Sequence, residues 1–175
     1  NILVILGVFA AVGLGYKLYG NTEAGRVNLA KLQLKLPVLG NIGILNAASQ
    51  FANTMTMMLQ AGLPMTKSIS ITSRVLDNYY ISQEIGKIST RLEEGHTLGH
   101  SLREAGCLPA ILVDMTAVGE ESGELAQTLG MTAEYYDNEL EQATAEALAK
   151  LEPAILVFLA GFAGFIVIAI YMAMF

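Results

Sequence analysis

The amino-acid sequence predicts an all-α fold, a bundle of about six short helices flanked by two transmembrane helices. Two observations predict this architecture. In the middle of the chain, apolar residues recur every three or four positions and are interrupted by Gly and Pro, which is typical of amphipathic helices joined by tight turns. Apolar residues make up 53% of the chain, and the excess over an ordinary soluble domain lies at its two ends.

The first apolar run, residues 2–16, carries no charge, and Lys17 and Tyr19 can extend it as interfacial anchors. A signal peptide is the alternative explanation, but no basic segment precedes the run and no small-residue cleavage site follows Gly20. Because the chain begins at Asn1 inside this run, we expect it to be a processed form or a part of a longer protein.

The second run, Ala154 to Phe175, has no charged side chain, and a membrane span needs roughly 20 such residues. Basic residues lie on the inner flanks of both runs. The positive-inside rule therefore predicts that residues 21–152 are cytoplasmic. The basic residues on these flanks are Lys17, Arg26, Lys31, Lys35 and Lys150.

Four segments follow from these patterns. Residues 1–20 and 153–175 are the predicted transmembrane helices, residues 21–46 an amphipathic linker, and residues 47–152 the bundle. In the linker, leucines interleaved with Lys31 and Lys35 predict a segment that can lie on the membrane surface and that ends at Pro37 and Gly40.

The bundle helices have recognisable start and stop signals. Gly is favoured just after a helix, Pro just before one, and Thr97 can cap the short fourth helix. The fifth helix is expected to present Ile111, Met115 and Val118 as its apolar stripe. The sixth helix meets no strong breaker before Pro153, so we expect it to kink there and run into the second span. The other signals, in chain order, are Gly62, Pro64, Gly95, Gly106, Pro109, Gly119 and Gly123.

The net charge of −6 is unevenly distributed. Residues 1–50 carry four basic side chains and one acidic one, whereas residues 51–175 carry six basic and fifteen acidic side chains. An acidic body excludes nucleic acid as a partner and suits a basic protein. The single cysteine, Cys107, cannot form a disulfide within the chain.

Catalytic and ligand-binding patterns are weak, and we predict no enzyme activity, metal or cofactor. His96 and His100 have the spacing of a helical metal pair, but adjacent glycines and the lack of a third ligand favour two solvated residues. Glu120 and Glu121 have no apparent nucleophile or second polar group beside them. The Gly-Lys-Ser/Thr element of a phosphate-binding loop does not occur.

Acidic residues are concentrated on the last helix of the bundle. They can form either a solvated face or a docking surface, since charge matching contributes specificity and encounter rate. The candidate docking residues are Glu120, Glu121, Glu134, Asp137 and Glu141.

The turn residues, in their order, resemble the signatures of the type II secretion F-domain family. Leu59-x-Ala61-Gly62-Leu63-Pro64 resembles the opening motif, and the run from Met115 to Leu125, with Gly-Glu-Glu-Ser-Gly inside it, resembles the strongest one. Asn53 departs from the pattern, which often has a basic residue there. The motif residues assigned to the family are Phe51, Gly62, Pro64, Gly95, Pro109, Gly119, Glu120, Gly123 and Pro153.

The resemblance implies a multi-pass platform protein of the bacterial inner membrane in type IV pilus assembly or type II secretion. Such platforms bind a cytoplasmic assembly ATPase, pilin or pseudopilin subunits and other inner-membrane assembly subunits, and they form homo-oligomers within membrane lipid. The alternative from another class is a membrane-anchored helical signalling or sensor module, in which the last helix relays movement into the span.

Overall fold

A computed structural model describes residues 23–35 and 39–174 of the chain. Within these residues there are seven α-helices and no strands, so the all-α prediction is confirmed. The helices are α1 Glu23–Lys35, α2 Leu39–Gln60, α3 Met65–Val75, α4 Tyr79–Glu93, α5 Leu98–Ala105, α6 Ala110–Ser122 and α7 Leu125–Met174. The first predicted span, residues 1–20, and Pro37 lie outside the described residues.

The chain divides into two compact units, one ending at Leu140 and one covering Glu141–Phe175. Helix α7 contributes residues 125–140 to the first unit and then continues as the second. Pro153 lies inside α7, so the helix does not end at this residue. The kink expected there stays a prediction.

The core of the first unit draws on every helix from α2 to α7. Phe51 and Met55 of α2 are completely buried, as are Ile81, Ile85 and Ile88 of α4. Their spacing of three and four residues places each set on one face of its helix, which explains why these segments fold as amphipathic helices.

The predicted helix ends fall where the sequence places them between α2 and α6. Gly62 and Gly123 follow α2 and α6 with φ of 75° and 77°, a region that only Gly occupies without steric cost. Thr97 caps α5 through a 3.3 Å hydrogen bond that its hydroxyl accepts from the His100 amide. Asn78 caps α4 in the same way, accepting from the Ile81 amide at 3.1 Å, which we did not predict.

The lead-in segment ends as α1 at Lys35, before the predicted Pro37 and Gly40, but Gly40 itself belongs to the next helix. Gly40 is buried inside α2, and a Cβ atom built there would clash with the carbonyl oxygen of Leu34. The residue is therefore a point of close backbone contact between α1 and α2. Because α2 begins at Leu39, its first two turns fall in the range 21–46 that we predicted as a linker.

Helix α1 packs against the bundle. Ala30 is buried, and its carbonyl oxygen accepts a 3.3 Å hydrogen bond from the Asn78 side chain. The Lys31 ammonium lies 4.5 Å from the centre of the Tyr80 ring, a cation–π distance. These contacts connect α1 to the start of α4.

Candidate functional site

The family-motif residues occupy turns, helix starts and close contacts of the bundle. Phe51 is buried in α2, Pro64 and Pro109 directly precede α3 and α6, and Pro153 is inside α7. Gly119 was one of two predicted ends of the fifth helix. It lies inside α6, which continues to Ser122.

Glu120 of α6 binds the beginning of α5. Its two carboxylate oxygens accept hydrogen bonds from the backbone amides of Leu98 and Gly99, at 2.8 and 2.9 Å. The first amides of a helix have no partner within that helix, and its N-terminus attracts negative charge. Glu120 therefore caps a neighbouring helix.

Two glycines beside this cap bring backbones together. A Cβ atom at Gly99 would lie 2.7 Å from the Cβ of Ala117, so α5 and α6 touch at this point. A Cβ atom at Gly119 would lie 2.9 Å from the Cβ of Thr128, which joins α6 to α7. The Gly-Glu-Glu-Ser-Gly segment thus lies at the contact of three helices.

Asp137 connects α7 to α2. Its carboxylate accepts a hydrogen bond from the hydroxyl of Ser49, which is buried, and two bonds of 3.1 Å from the side-chain amide of Asn53. Asn53 is the residue that departs from the family pattern. Here its neutral amide is the group that meets the acidic side chain of α7.

The five candidate docking carboxylates are therefore not equivalent. Glu120 and Asp137 form hydrogen bonds within the bundle, whereas Glu121 and Glu134 are exposed in the first unit and Glu141 is exposed in the second. Further along α7, the Lys150 ammonium bonds the Glu146 carboxylate at 2.6 Å, and this bond lowers the pKa of Glu146.

The two histidines lie close to each other at the protein surface. Their ring centres are 6.0 Å apart, and His100 Nε2 lies 3.5 Å from the Glu104 carboxylate, which also pairs with Arg91 at 2.9 Å. Across the described ranges, no group of three or more His, Cys, Asp or Glu side chains is placed to hold a metal ion.

Cys107 is half-buried in the turn between α5 and α6. Burial raises the pKa of its thiol to about 11, and the negative charge of Glu84 acts in the same direction. The protonated thiol is a poor nucleophile and metal ligand at neutral pH. Burial also raises the pKa of the Tyr136 phenol.

The apolar stripe predicted for the fifth helix is on the wrong face. The structure buries Leu112, Val113, Thr116 and Gly119 of α6 instead. Ile111 and Val118 are more than half exposed, at 54% and 56%. Because α6 is apolar on both faces, periodicity alone could not distinguish the face in the core from the face outside it.

A groove lies beside this exposed face, between α6 and the start of α7. It has a volume of about 320 Å³ and is lined by Ile111, Met115, Met131, Thr132 and Tyr135. We did not predict this groove from the sequence. The signal that points to it is the second apolar stripe of α6.

The second unit contains the predicted C-terminal span. Among the residues that the structure describes, α7 is the one helix long and apolar enough to cross a membrane, and its most apolar window has no buried residue. Large apolar side chains project from all sides of it, including Phe158 and Phe165, which are 73% and 69% exposed.

Comparison with known proteins agrees with the resemblance inferred from the motifs. The family model described as "Type II secretion system (T2SS), protein F" matches residues 51–173. The chain is 31% identical over 173 residues to the type IV pilus assembly protein PilC of Pseudomonas aeruginosa, covering 98% of this chain and 46% of the relative.

Two other relatives give the same picture. Type IV pilus assembly protein PilC of Thermus thermophilus is 28% identical over 174 residues, which cover 99% of this chain and 43% of the relative. Type II secretion system protein F of Pseudomonas aeruginosa is 30% identical over 167 residues, covering 94% and 41%. The chain thus spans less than half the length of these relatives.

Proposed function

The chain belongs to the type II secretion system protein F family, and we propose from this membership that it is part of an inner-membrane platform for type IV pilus assembly or type II secretion. One observation carries the proposal. The family match extends without interruption over the helical bundle and the apolar helix, residues 51–173, so the two parts are matched together. The platform is a scaffold and not an enzyme.

In this proposal the two units have separate tasks. The apolar part of α7 anchors the chain as one of several spans and contacts pilin or pseudopilin, other membrane subunits and lipid. The bundle faces the cytoplasm, where basic residues that flank the spans are retained. There it binds an assembly ATPase, whose conformational changes are transmitted through the platform to the growing filament.

The carboxylates that lie outside the hydrogen bonds between helices support docking of a partner better than Glu120 and Asp137 do. Glu121, Glu134 and Glu141 are free to meet a basic surface, while Glu120 and Asp137 stabilise the bundle. Reversing the charge of Asp137 would disturb α2 and α7 together. A docking test therefore has to avoid this residue.

The test is co-purification of the full-length protein, in mild detergent, with the assembly ATPase encoded beside it. The variant Glu134→Lys/Glu141→Lys reverses two exposed charges on α7. A matched control, Glu93→Lys/Glu94→Lys, makes the same charge change at the exposed end of α4. We expect the wild type and the control to capture the ATPase, and the α7 variant to lose about tenfold in affinity.

The outcomes separate two parts of the proposal. Equal capture by all three proteins would retain the platform and reject docking through the acidic side of α7. No capture by any of them, with both proteins folded, would contradict ATPase coupling and favour the anchored signalling module. The identity of the neighbouring genes distinguishes the two machines, since pilins indicate pilus assembly and pseudopilins with a secretin indicate secretion.

A further inference from the structure

Helix α6 has a second apolar face that the bundle leaves uncovered. Ile111, Met115 and Val118 follow one another at spacings of four and three, so they form one stripe along the helix. Ile111 and Val118 are more than half exposed and Met115 is half-buried. The core covers the other apolar face of α6, so this stripe is an apolar surface that the bundle leaves open.

The beginning of α7 forms the opposite wall. Met131 and Tyr135 are one turn apart on that helix and are 55% and 45% exposed. With Ile111 and Met115 they enclose the groove of about 320 Å³. A second cavity of about 390 Å³ shares Ile111 and Tyr135 with the first, so the apolar surface continues toward the start of α2. We call this surface the α6–α7 groove.

Up to Leu140, the two helices that line the groove carry ionisable side chains of one sign. From Ala110 to Leu140 the chain has seven acidic side chains and no Lys or Arg. Three of the seven are engaged: Glu120 in the helix cap, Asp137 with α2, and Asp114 with Arg103 at 2.8 Å. Glu121, Glu124 and Glu134 are exposed on or directly beside the two helices.

The apolar groove and the acidic side chains together indicate which kind of molecule could bind there. Anionic lipid headgroups would be repelled by the carboxylates, and a second copy docking through the same face would bring like charges together. An apolar segment flanked by Lys and Arg suits both the apolar groove and the acidic side chains of the two helices that form it. Paired walls with side chains one turn apart suit a helix that inserts apolar residues at i and i+3 or i+4.

We propose that the α6–α7 groove binds a basic amphipathic helix of a protein partner. This inference deepens the proposed function. It rests on the proposed function only in one respect, which is that the partner belongs to the pilus or secretion machine. The groove itself is defined by the exposed apolar residues of α6 and α7 and by the acidic side chains of the same two helices.

Methionine methyl groups provide the test, because Met115 and Met131 line the groove and Met57 on α2 is as exposed as Met131. The full chain, with ¹³C-labelled methionine methyls, is placed in zwitterionic lipid nanodiscs, and empty nanodiscs serve as the blank. The probe is a synthetic helical peptide of about five turns with Leu on one face and Lys on the other. A peptide with Glu in place of Lys is the charge control.

We expect the Leu/Lys peptide to shift the Met115 and Met131 resonances and leave Met57 unchanged, and we expect the affinity to fall as salt is added. The variant Ile111→Asn/Met131→Asn should weaken binding by at least about tenfold. The matched variant Met57→Asn/Val75→Asn removes two exposed apolar side chains elsewhere and should change binding less than about twofold.

Several results would overturn the inference. These are equal shifts at Met57, equal binding of the Glu peptide, equal losses in the two variants, or no shift with either peptide. Shifts of Met115 and Met131 that depend on protein concentration without peptide would assign the groove to a second copy. Each of these results leaves ATPase capture to be decided separately, so failure of the groove and failure of the platform remain distinguishable.

Discussion

The two parts of α7 belong to one continuous helix but have different surroundings. In residues 125–140 the apolar side chains Leu125, Leu129, Ala133 and Tyr136 form one buried stripe, and the exposed side is mostly polar apart from Met131 and Tyr135. In residues 151–172 every side chain is exposed, and Phe, Ile, Leu and Val occur all round the helix. The first part is covered by protein, whereas the second requires an apolar solvent, which a bilayer provides.

Identical substitutions in the two environments should give the largest difference. Phe51→Ala removes a completely buried ring from the bundle core and should lower the free energy of unfolding by about 4 kcal/mol. Phe158→Ala, on the exposed apolar part of α7, should leave bundle stability unchanged. Thermal unfolding followed by circular dichroism in nanodiscs measures both. Equal losses would contradict the division of α7 into a covered part and a lipid-facing part.

A charge provides the converse test. Phe165→Arg places a guanidinium within the charge-free run, where an arginine at the centre of a span costs about 3 kcal/mol of insertion free energy. Leu148→Arg makes the same change at an exposed position before Lys150 and should have little effect. The measurement is the fraction inserted into membranes when residues 141–175 are the single apolar segment of a reporter protein. If Phe165→Arg inserted as fully as the wild type, the prediction that this part of α7 is a span would be contradicted.

The helix cap that Glu120 forms tests another difference between the bundle and the exposed apolar part of α7. The cap is a polar contact between two helices, and the apolar part has no side-chain carboxylate that could form one. Glu120→Ala leaves the Leu98 and Gly99 amides without their partner and should destabilise the bundle by about 2 kcal/mol. Glu121→Ala is the neighbouring control and should change stability by less than about 0.5 kcal/mol. Equal effects would show that the cap contributes nothing specific.

The smallest effect on stability at neutral pH concerns Cys107, the single thiol of the chain. Because burial raises its pKa from 9.0 to about 11, iodoacetamide at pH 8 should alkylate the folded protein about a hundredfold more slowly than the urea-unfolded chain. The raised pKa contributes stability that is fully present below about pH 9 and is lost as the pH rises toward 11. Equal alkylation rates of the folded and the unfolded chain would show that the Cys107 thiol is exposed to solvent in the folded protein.

The sequence predicted the elements whose signals are local. Gly62, Gly95, Gly106 and Gly123 were assigned to helix ends, and all four have positive φ. Thr97 was assigned to a cap and forms one. Such signals depend on the backbone conformation of one or two residues, so the residue type at those positions is enough to predict them. The charge-free C-terminal run is recognised in the same way, since length and lack of charge are sufficient.

Local signals gave wrong predictions where the role of a residue depends on its contact with another helix. Gly40 resembles a helix-breaking residue in the sequence, but in the structure its lack of a Cβ atom allows the carbonyl group of Leu34 to pack against it. Ile111, Met115 and Val118 have the spacing of a core stripe, yet α6 buries the adjacent stripe because Gly99 and Thr128 pack against that face. Each of these partners lies on another helix, so periodicity along one helix could not identify it.

The sequence by itself determined the helical class, most of the helix ends, the long apolar C-terminal helix, the acidic surplus and the family, because each depends on residue type and local spacing. The tertiary structure alone decided which carboxylates are available. Glu120 and Asp137 bond to amides and hydroxyls 21 to 88 residues away, while Glu121 and Glu134 stay exposed. A carboxylate's partner depends on which helices meet, and that arrangement follows from packing of the whole core.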